Sequence, residues 1–254
     1  MNDERINRII DILEKNEGIA VKELADFLQV SQMTIRRDIE MLKSKNIVKN
    51  VSGAIMLNRD NNNASASYSL LQHLNEYSTE KEIICKKAAS FVEDGDIVYI
   101  DIGSTVASII DYFNKNLKIT AVCCTLNAMT KLYKNNINNV YMLGGKYQSG
   151  LQMFYNENNR DDLKHIRLTK AFISAAGVEG DSVTCVNDIE VSTKQTAIRN
   201  AAEKYLLVDS SKFDVIKPYQ FAKLEDFDYI VTDNKISKAW RKKIKDSGIK
   251  LIIA

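Results

Sequence analysis

Apolar residues recur at helical spacing near the start of the chain, at Ile6, Ile9, Ile10 and Leu13. This pattern predicts a first helix, which Gly18 ends. A shorter second helix is predicted at Val21–Leu28. Its apolar side is formed by Leu24, Ala25, Phe27 and Leu28.

A third helix and a hairpin are predicted next. Ser31 follows the turn Gln29-Val30 and is a residue type that caps helix N-termini, so a helix should run from there to about Ser44. Two short β-prone runs, Ile47–Val51 and Ala54–Leu57, are separated by a Ser-Gly pair and predict a β-hairpin.

The domain organisation follows from where this periodicity fades. Residues 58–78 are polar and low in complexity, as expected of a linker. The three helices and the hairpin before it predict a winged helix-turn-helix domain at 1–57, with the helix-turn-helix at about 20–39. The remaining residues, 79–254, should form a second domain, and a chain of 254 residues suits two.

The second domain alternates short apolar strands with helical patterns, which predicts an α/β fold with a mainly parallel sheet. The predicted strands are Asp96–Asp101, Ile119–Cys123, Val140–Leu143, Ala171–Ser174, Tyr205–Val208, Tyr229–Thr232 and Ile249–Ile253. The predicted helices are Thr79–Phe91, Thr105–Asn114, Asn127–Tyr133, Asp188–Glu203 and Ser237–Asp246.

The composition, 45% hydrophobic and 27% charged, is that of a globular protein. No apolar run approaches the roughly 20 residues that span a bilayer, and the charged N-terminus is unlike a secretory signal, so we expect a cytoplasmic protein. Four cysteines without CxxC spacing and two histidines favour buried thiols in a reducing compartment. We expect no metal site and no other cofactor.

The charge distribution changes sign inside the first domain. Residues 1–30 hold four Lys or Arg against seven Asp or Glu, a balance of −3, whereas residues 31–59 hold six against two, a balance of +4. One face of this domain is therefore expected to meet an anion.

The third helix divides into an apolar and a polar face. Its apolar face is formed by Ile35, Ile39 and Leu42. Arg37 points almost directly away from it, flanked by Thr34 and Arg36. Ser31 and Gln32 stand at the N-terminal end, where a recognition helix first meets base edges. The arginines could read guanine, bind phosphates or form a solvated face, and the residues alone leave these roles open.

The stretch ELADFL followed by VSQMTIRRDIEML resembles the helix-turn-helix of the DeoR family, whose hallmark is ELA, a gap, then VS-x-x-TIRRDL. The family's wing usually has the pattern R-x-H-G-G-A. The corresponding Lys49–Ala54 keeps a basic residue and Gly-Ala but lacks the histidine and one glycine. The resemblance implies DNA binding through Ser31, Gln32, Thr34, Arg36 and Arg37, with Lys49 on the wing.

Several residues of the second domain stand at predicted element ends. Asp101–Thr105 is a strand end, a small loop and a helix start, a combination that suits either a phosphate site or a plain turn. Gly144 and Gly145 end another strand and permit close backbone approach. Glu190 and the other charged residues near such ends are, taken singly, ordinary surface charges.

Together these residues resemble the DeoR sensor domain, whose pattern is D-x-G-T-T, L-L-G-G, E-A-x-x-K and D-S-S-K-F-G. The matching residues are Asp101 to Thr105, Met142 to Gly145, Glu190 with Lys194, and Asp209 to Asp214. The resemblance implies a fold related to ribose-phosphate isomerases and coenzyme A transferases that binds a phosphorylated sugar. By that resemblance the phosphate is cradled by Gly103, Ser104 and Thr105, with positive charge from Lys194 and Lys212, while Asp101 and Asp209 are candidates for sugar hydroxyls.

Three departures from the family pattern affect this expected site. The family's T-N-S is Cys123-Cys124-Thr125, the glycine before the middle helix is Asn156, and the last glycine of S-K-F-G is Asp214. An acidic side chain beside a phosphate site would oppose an anionic ligand. Either the ligand differs from the family's usual one or the pocket has partly lost it.

We therefore expect a sequence-specific repressor of carbohydrate-use genes that binds a double-stranded DNA operator as a dimer or tetramer, responds to a sugar phosphate, and has no membrane partner. A rival interpretation is an isomerase-type enzyme, for which Glu190, Asp101 and Asp209 are available, but no motif marks a catalytic base and we expect no catalytic residue. A third is an activator, or a regulator without a small ligand.

Overall fold

The computed structural model describes residues 18–44, 48–51, 53–57, 79–156 and 159–254, together with several positions between residues 5 and 16. The chain divides into two compact units, residues 1–75 and 76–254. The predicted linker at 58–78 lies outside the described residues. Among those that are described, no helix is long and apolar enough to cross a membrane.

The N-terminal unit contains the three predicted helices and a small sheet. Helical residues around Ile6, Ile9 and Leu13 precede the helices Val21–Leu28 and Gln32–Ser44. The strands are β1 (Ile19–Ala20), β2 (Val48–Val51) and β3 (Ala54–Leu57), in the antiparallel order β1-β3-β2. The predicted hairpin is confirmed at Val48–Val51 and Ala54–Leu57, and β1 is a strand that the sequence analysis did not predict.

The turn between the second and third helices has a defined backbone geometry. Gln29 adopts the left-handed conformation with φ 53°, and the N–H of Val30 donates to the carbonyl of Ala25 at 3.1 Å. At the other end of the second helix, Glu23 accepts a hydrogen bond from the N–H of Ala20 at 3.1 Å. These contacts satisfy backbone groups that a short helix otherwise leaves unpaired.

The placement of Phe27 on the apolar side of the second helix was wrong. Its side chain is 64% exposed, whereas Leu24, Ala25 and Leu28 are buried. At 100° per residue, Phe27 lies roughly 100° from the centre of the buried stripe, so the apolar face is narrower than the sequence suggested.

The C-terminal unit is an α/β fold built on a seven-stranded sheet. Its strands are β4 (Ile97–Ile100), β5 (Thr120–Cys123), β6 (Val140–Met142), β7 (Lys146–Gln148), β8 (Met153–Tyr155), β9 (Leu168–Ser174), β10 (Gly177–Glu179), β11 (Ser182–Cys185), β12 (Ala201–Leu207), β13 (Tyr219–Lys223), β14 (Tyr229–Thr232) and β15 (Lys250–Ile253). The large sheet has the order β15-β14-β12-β9-β4-β5-β6, and every pairing in it is parallel. All seven predicted strands belong to it; Tyr229–Thr232 matches its predicted bounds, and the other six have shifted ends.

The helices of this unit are Thr79–Ala89, Ser104–Ser108, Leu126–Lys134, Asn159–Lys164, Asp188–Asn200 and Lys238–Asp246. The predicted helix at Thr105–Asn114 begins one residue earlier and continues after Ser108 as a 3₁₀ turn. The predicted extension of the Asp188 helix to Glu203 was wrong. Ala201 instead pairs with Leu168 and begins strand β12. These residues have good helix propensity, but they form a strand because β9 provides hydrogen-bond partners for their backbone.

The sheet reverses its direction of growth between β4 and β9. From β4 the chain adds β5 and β6 on one side, then returns through β9 to the other side of β4 and adds β12, β14 and β15. In parallel sheets of this kind, the crevice outside the carboxyl ends of the strands at the reversal is where ligands bind. The segments that follow β4 and β9 therefore border the expected ligand position.

Two smaller antiparallel sheets were not predicted from the sequence. Strands β7 and β8 form a hairpin after the last edge strand, and β10, β11 and β13 form a three-stranded sheet. Their strands are three to five residues long. Such short runs gain their stability from pairing with distant segments, so they leave little periodic signal in the sequence.

The core of the C-terminal unit includes an aromatic cluster centred on Tyr205. Its ring stacks on Tyr229 at 4.4 Å between centroids and contacts Phe172 at 5.0 Å. The hydroxyl of this buried tyrosine donates to Glu203 at 2.7 Å. All four cysteines are buried and unpaired, which confirms the prediction of buried thiols, and burial raises the pKa of Cys85 to about 12.

A buried ion pair joins the start of β4 to β9. Lys170 donates to Asp96 at 2.8 Å, and the same carboxylate accepts the hydroxyl of Thr169 at 2.7 Å. Burial alone would raise the pKa of Asp96, but these hydrogen bonds outweigh it and lower the pKa below the usual 3.8. Because the folded pKa is depressed, the pair contributes stability above the unfolded pKa and loses it as pH falls through the folded value.

The variant D96N should lower the free energy of unfolding of the C-terminal unit by about 3 kcal/mol at pH 7, because Lys170 would keep its charge in a buried site. Urea unfolding followed by fluorescence of Trp240, the one tryptophan of the chain, measures this unit. The deficit should begin to shrink below about pH 4, the ordinary pKa of this carboxyl in the unfolded chain, and should vanish once pH falls below the depressed pKa of folded Asp96. The exposed Asp162 supplies the control D162N, and an equal loss there or a deficit independent of pH would contradict the prediction.

Candidate nucleic-acid interface and ligand site

The helix Gln32–Ser44 presents the polar face that its sequence predicted. Ile35, Ile39 and Leu42 are buried against the rest of the N-terminal unit. The side chains of Gln32, Arg36 and Arg37 are exposed on the outward face. We call this helix the recognition helix. Its exposed arginines can meet an anionic backbone or the base edges of a duplex.

Two of the predicted DNA-binding residues cap the recognition helix. The hydroxyl of Ser31 accepts the N–H of Thr34 at 3.1 Å and lies 2.9 Å from the hydroxyl of Thr34. This is the arrangement of an N-cap serine, and it fixes the backbone at the helix start. Ser31 is exposed and Thr34 is half-buried, so the exposed hydroxyl of Ser31 combines capping with access to a ligand.

An ion pair that the sequence analysis did not single out ties the recognition helix to the first helix. Arg5 donates to Asp38 through Nε at 2.7 Å and through its Nη2 at 3.3 Å. The carboxylate side chain of Asp38 is only 6% exposed, although it follows the exposed Arg37 directly. Asp38 stands three residues after Ile35 and so lies on the same side of the helix, and this spacing could have predicted its burial. The bidentate contact fixes how the two helices cross.

The predicted wing is the turn between β2 and β3. Lys49 lies in β2 and is half-buried, and the side chain of Asn50 accepts the N–H of Gly53 at 3.2 Å. Gly53 has φ 89°, a conformation that favours glycine, so the retained glycine of the wing has a backbone reason. Asn50 and Val51 expose their side chains at this tip.

The predicted ligand residues lie at the carboxyl edge of the large sheet. Asp101 follows β4, Gly144 and Gly145 follow β6, and Asp209 follows β12. Ser174 ends β9, next to β4 at the reversal of the sheet. Parallel strands bring their carboxyl ends to one edge, so residues far apart in sequence share this side of the unit.

Asp101 is the centre of a buried polar cluster at the reversal point. Its Oδ2 accepts the N–H of Ser174 at 2.9 Å, the hydroxyl of Ser174 at 3.2 Å, and the ammonium of Lys194. Its Oδ1 is buried and has no hydrogen-bond partner within the described part of the chain. A buried acceptor without a donor is costly, so this oxygen is suited to a hydroxyl or a water molecule.

Lys194 is engaged inside the protein. It is 1% exposed, donates to the carbonyl of Ser174 at 3.1 Å, and lies 3.6 Å from the carboxylate of Glu190. Burial by itself would lower the pKa of Lys194, but the charges of Asp101 and Glu190 outweigh it and raise the pKa. Burial raises the pKa of Glu190. The charge of Lys194 is therefore balanced by carboxylates rather than presented at the surface.

The loop after β4 is shaped for close approach to β9. Gly103 has φ 133°, and a Cβ at this position would lie 2.8 Å from the hydroxyl of Ser174. The helix that begins at Ser104 has Gly103 as its N-cap, and no side chain caps it. Thr105 is half-buried, and its carbonyl accepts the thiol of Cys85 at 3.0 Å.

Gly145 has a structural role. A Cβ on Gly145 would lie 2.2 Å from the carbonyl oxygen of Tyr155, because the β7–β8 hairpin folds back against this turn. Gly144 is exposed and has open space around it. Asn156, one of the departures from the family pattern, follows β8 beside Gly145.

The segment after β12 holds Asp209 and Lys212 in a 3₁₀ turn, Ser210–Lys212. Asp209 accepts the N–H of Ser211 at 3.0 Å and so caps this turn. Lys212 is half-buried, and its backbone N–H donates to the carbonyl of Asp209 at 3.0 Å. Its side-chain ammonium forms no hydrogen bond or ion pair with any described residue. Its charge is therefore available to an anion.

Asp214 is held in a specific contact despite replacing a glycine. It adopts φ 60°, the left-handed region that favours glycine, and its carboxylate accepts the indole N–H of Trp240 at 3.0 Å. The ring of Phe213 lies 5.0 Å from that of Trp240. Cys124, which stands where the family has asparagine, is fully buried, and burial raises the pKa of its thiol.

The predicted ligand residues thus fall into separate groups. Asp101, Gly103 and Lys194 lie against Ser174, and Glu190 joins this group through Lys194. The sequence analysis missed Ser174 although its small polar side chain ends a buried strand. Within the described residues, no hydrogen bond or ion pair links Lys212 or the Gly144–Gly145 turn to this group.

Both units match protein families. Residues 5–60 match the family described as DeoR-like helix-turn-helix domain. Residues 76–234 match the family described as DeoR C terminal sensor domain. The winged helix-turn-helix and α/β sensor folds expected from the sequence are confirmed.

The chain is similar along its length to proteins named as repressors. It is 33% identical over 235 residues to the lactose phosphotransferase system repressor of Lactococcus lactis subsp. lactis, which covers 92% of this chain and 91% of that protein. It is 28% identical over 251 residues to the HTH-type transcriptional repressor GlcR of Bacillus subtilis (strain 168), with coverages of 99% and 96%.

Two solved structures align with parts of the chain. Ribose 5-phosphate isomerase A from Methanocaldococcus jannaschii has a TM-score of 0.38 and 20% identity, over 52% of this chain and 53% of that one. Translation initiation factor eIF-2B from Pyrococcus horikoshii OT3 has a TM-score of 0.46 and 13% identity, over 90% and 86%.

The variant D38A should loosen the recognition helix, because Arg5 loses charged hydrogen bonds worth about 2 kcal/mol. Hydrogen exchange of the full chain should show lower protection across Gln32–Ser44. DNA affinity should fall on the order of ten-fold, the equivalent of about 1.4 kcal/mol of lost positioning. A fall in DNA affinity would indicate a positioning role for Asp38, because loss of a negative charge near DNA would otherwise strengthen binding.

The exposed Asp26 provides a charge-matched control on the neighbouring helix. D26A removes the same charge and should keep or strengthen DNA binding. If D38A bound DNA as tightly as D26A, with unchanged exchange, the positioning role of the Arg5–Asp38 pair would be refuted.

Proposed function

The chain belongs to the DeoR family of transcriptional regulators, and from that premise we propose that it is a DNA-binding repressor of carbohydrate-use genes whose C-terminal unit responds to a phosphorylated sugar. The observation that carries the DNA-binding part is the recognition helix, which buries Ile35, Ile39 and Leu42 and exposes Arg36 and Arg37. The repressor assignment is supported by the names of its relatives.

In this proposal Gln32, Arg36 and Arg37 contact the major groove, with Ser31 and Thr34 at the helix start and Lys49 beside the wing. The protein acts in the cytoplasm. It does so as a homodimer or homotetramer, because a single recognition helix reads too few base pairs for tight specific binding. Ligand binding changes DNA affinity by favouring one conformation, with typical couplings of about 5–150-fold.

The ligand site that we propose lies at the reversal of the sheet. Asp101 offers its unpartnered Oδ1 to a sugar hydroxyl, while Lys194 and Ser174 hold the carboxylate in place. Glu190 pairs with Lys194 from the same helix. Backbone N–H groups of Gly103, Ser104 and Thr105 face the phosphate, because the helix start has no side-chain cap.

Further charge and space come from neighbouring segments. Lys212 supplies positive charge, and Asp209 shapes the turn that carries it. Gly145 allows the β7–β8 hairpin to pass closely, and Gly144 leaves open space beside it. Asp214 is bonded to Trp240, so its carboxylate opposes an anionic ligand less than the sequence alone suggested.

An activator, or a regulator without a small ligand, is the second candidate. The observation that favours it is the pair of changes at Cys124 and Asp214, which replace the polar and flexible residues of the family pattern. The same ligand experiment separates these candidates. We propose no catalytic activity.

Removing the guanidinium groups of Arg36 and Arg37 should remove most of the preference for the operator over random duplex. A base-reading arginine contributes about 1–3 kcal/mol of discrimination, which corresponds to roughly 5–150-fold. If an arginine binds a phosphate instead, its removal should make the slope of log affinity against log salt concentration shallower by about 0.9. Fluorescence anisotropy with an operator selected from random duplexes, at several salt concentrations, measures both quantities.

The matched control is R167A, which removes an exposed arginine of the C-terminal unit. It should leave operator affinity and its salt dependence unchanged. An operator preference that was unchanged in the double variant R36A/R37A would refute the assignment of the recognition face.

A phosphorylated sugar should stabilise the full chain in a thermal-shift panel, whereas the same sugar without phosphate should not. Ligand at one hundred times its dissociation constant gives about 2.7 kcal/mol of stabilisation. The variant K212A should weaken binding at least ten-fold because the free cation of the site is lost. Trp240 donates a hydrogen bond to Asp214, two residues after Lys212, so its fluorescence provides a second measure of ligand binding.

The control K217A removes an exposed lysine five residues away and should bind the ligand normally. If no phosphorylated sugar in the panel shifted the melting temperature or the fluorescence, the ligand part of the proposal would fail. Regulation without a small ligand would then be favoured.

A further inference from the structure

Met33 is an apolar side chain in the middle of the polar face of the recognition helix. It is the second residue of that helix and is 75% exposed. At 100° per residue its direction falls between those of Arg36 and Arg37, roughly 60° from one and 40° from the other, one turn nearer the helix start. Met33 therefore shares the outward face of the two arginines.

The core of the N-terminal unit does not use this side chain. The buried cluster of the unit is complete on the other side of the helix, where Ile35, Ile39 and Leu42 are at most 2% exposed. Truncation of Met33 should therefore leave the fold intact, so any effect on binding can be separated from stability.

A groove-facing thioether needs an apolar partner. If the recognition helix enters the major groove, Met33 meets base edges there, and most of these edges are hydrogen-bond donors or acceptors that a thioether satisfies poorly. The C5-methyl group of thymine is the apolar feature of the major groove. Methionine is unbranched and adaptable, so it can follow the position of such a methyl group.

We propose that Met33 is a specificity-determining residue that packs on the C5-methyl group of a thymine in each operator half-site, beside the bases or phosphates contacted by Arg36 and Arg37. This inference rests on the proposed DNA-binding function. It predicts that part of the sequence preference is carried by a contact without hydrogen bonds and is therefore insensitive to salt.

The test uses the full chain and an operator selected by the wild-type protein from random duplexes. Each thymine is replaced in turn by deoxyuridine, which lacks only the methyl group. The wild type should bind about four-fold more weakly at one thymine per half-site, the loss that corresponds to one buried methyl group. M33A should bind the thymine and deoxyuridine duplexes equally, and M33L should keep the preference.

The variant R37A is the control on the same face. It should weaken binding overall but retain the thymine preference, because it leaves the methyl contact in place. Circular dichroism of M33A should match that of the wild type, since the residue is exposed.

Two outcomes would overturn the inference alone: no thymine whose methyl group matters to the wild type, or a preference that persists unchanged in M33A. If selection enriched no duplex and the wild type bound none specifically, the proposed function would fail together with the inference.

Discussion

The ammonium group of Lys194 lies in the interior of the C-terminal unit, bonded to the carboxylate of Asp101 at the point where the sheet reverses. Withdrawing two charges from water costs several kcal/mol for each, so the pair is tolerated only with close geometry and further hydrogen bonds. Ser174 supplies those bonds from the end of β9, and Glu190 adds a second carboxylate from the helix that carries Lys194. The pair thereby fixes a helix, two strand ends and the Gly103 loop relative to one another.

This arrangement determines which groups remain for a ligand. A lysine that is already balanced by two carboxylates adds little net attraction for a phosphate, because their opposite charges lie within a few ångströms. In the site that we propose, the attraction comes from groups that are not paired with a described side chain, namely the uncapped helix start after Gly103 and the side chain of Lys212. The hydrogen bond from Trp240 to Asp214 anchors the segment that carries Lys212.

In the N-terminal unit, too, an ion pair with a buried carboxylate orients a helix. Asp38 is buried within the TIRRD stretch and receives both hydrogen bonds from Arg5, while its neighbours on the helix surface remain exposed. The helix that reads DNA in our proposal is thus oriented by a charged contact to the first helix and by the capping of Ser31, in addition to its apolar packing. Residues that bear on recognition therefore lie on both faces of this helix.

The two folds and the seven strands of the large sheet can be predicted from local sequence, because buried parallel strands are short continuous apolar runs and amphipathic helices repeat every 3.6 residues. The sequence also identified the exposed arginines and the cap of the recognition helix, which follow from local spacing. Tertiary contacts set the start of β12 at Ala201, the formation of β7, β8, β10, β11 and β13, and the exposure of Phe27. The same holds for the burial of Lys194 against Asp101, a residue 93 positions away. These outcomes depend on which distant segments supply hydrogen-bond partners and opposite charges, and local periodicity carries no record of that.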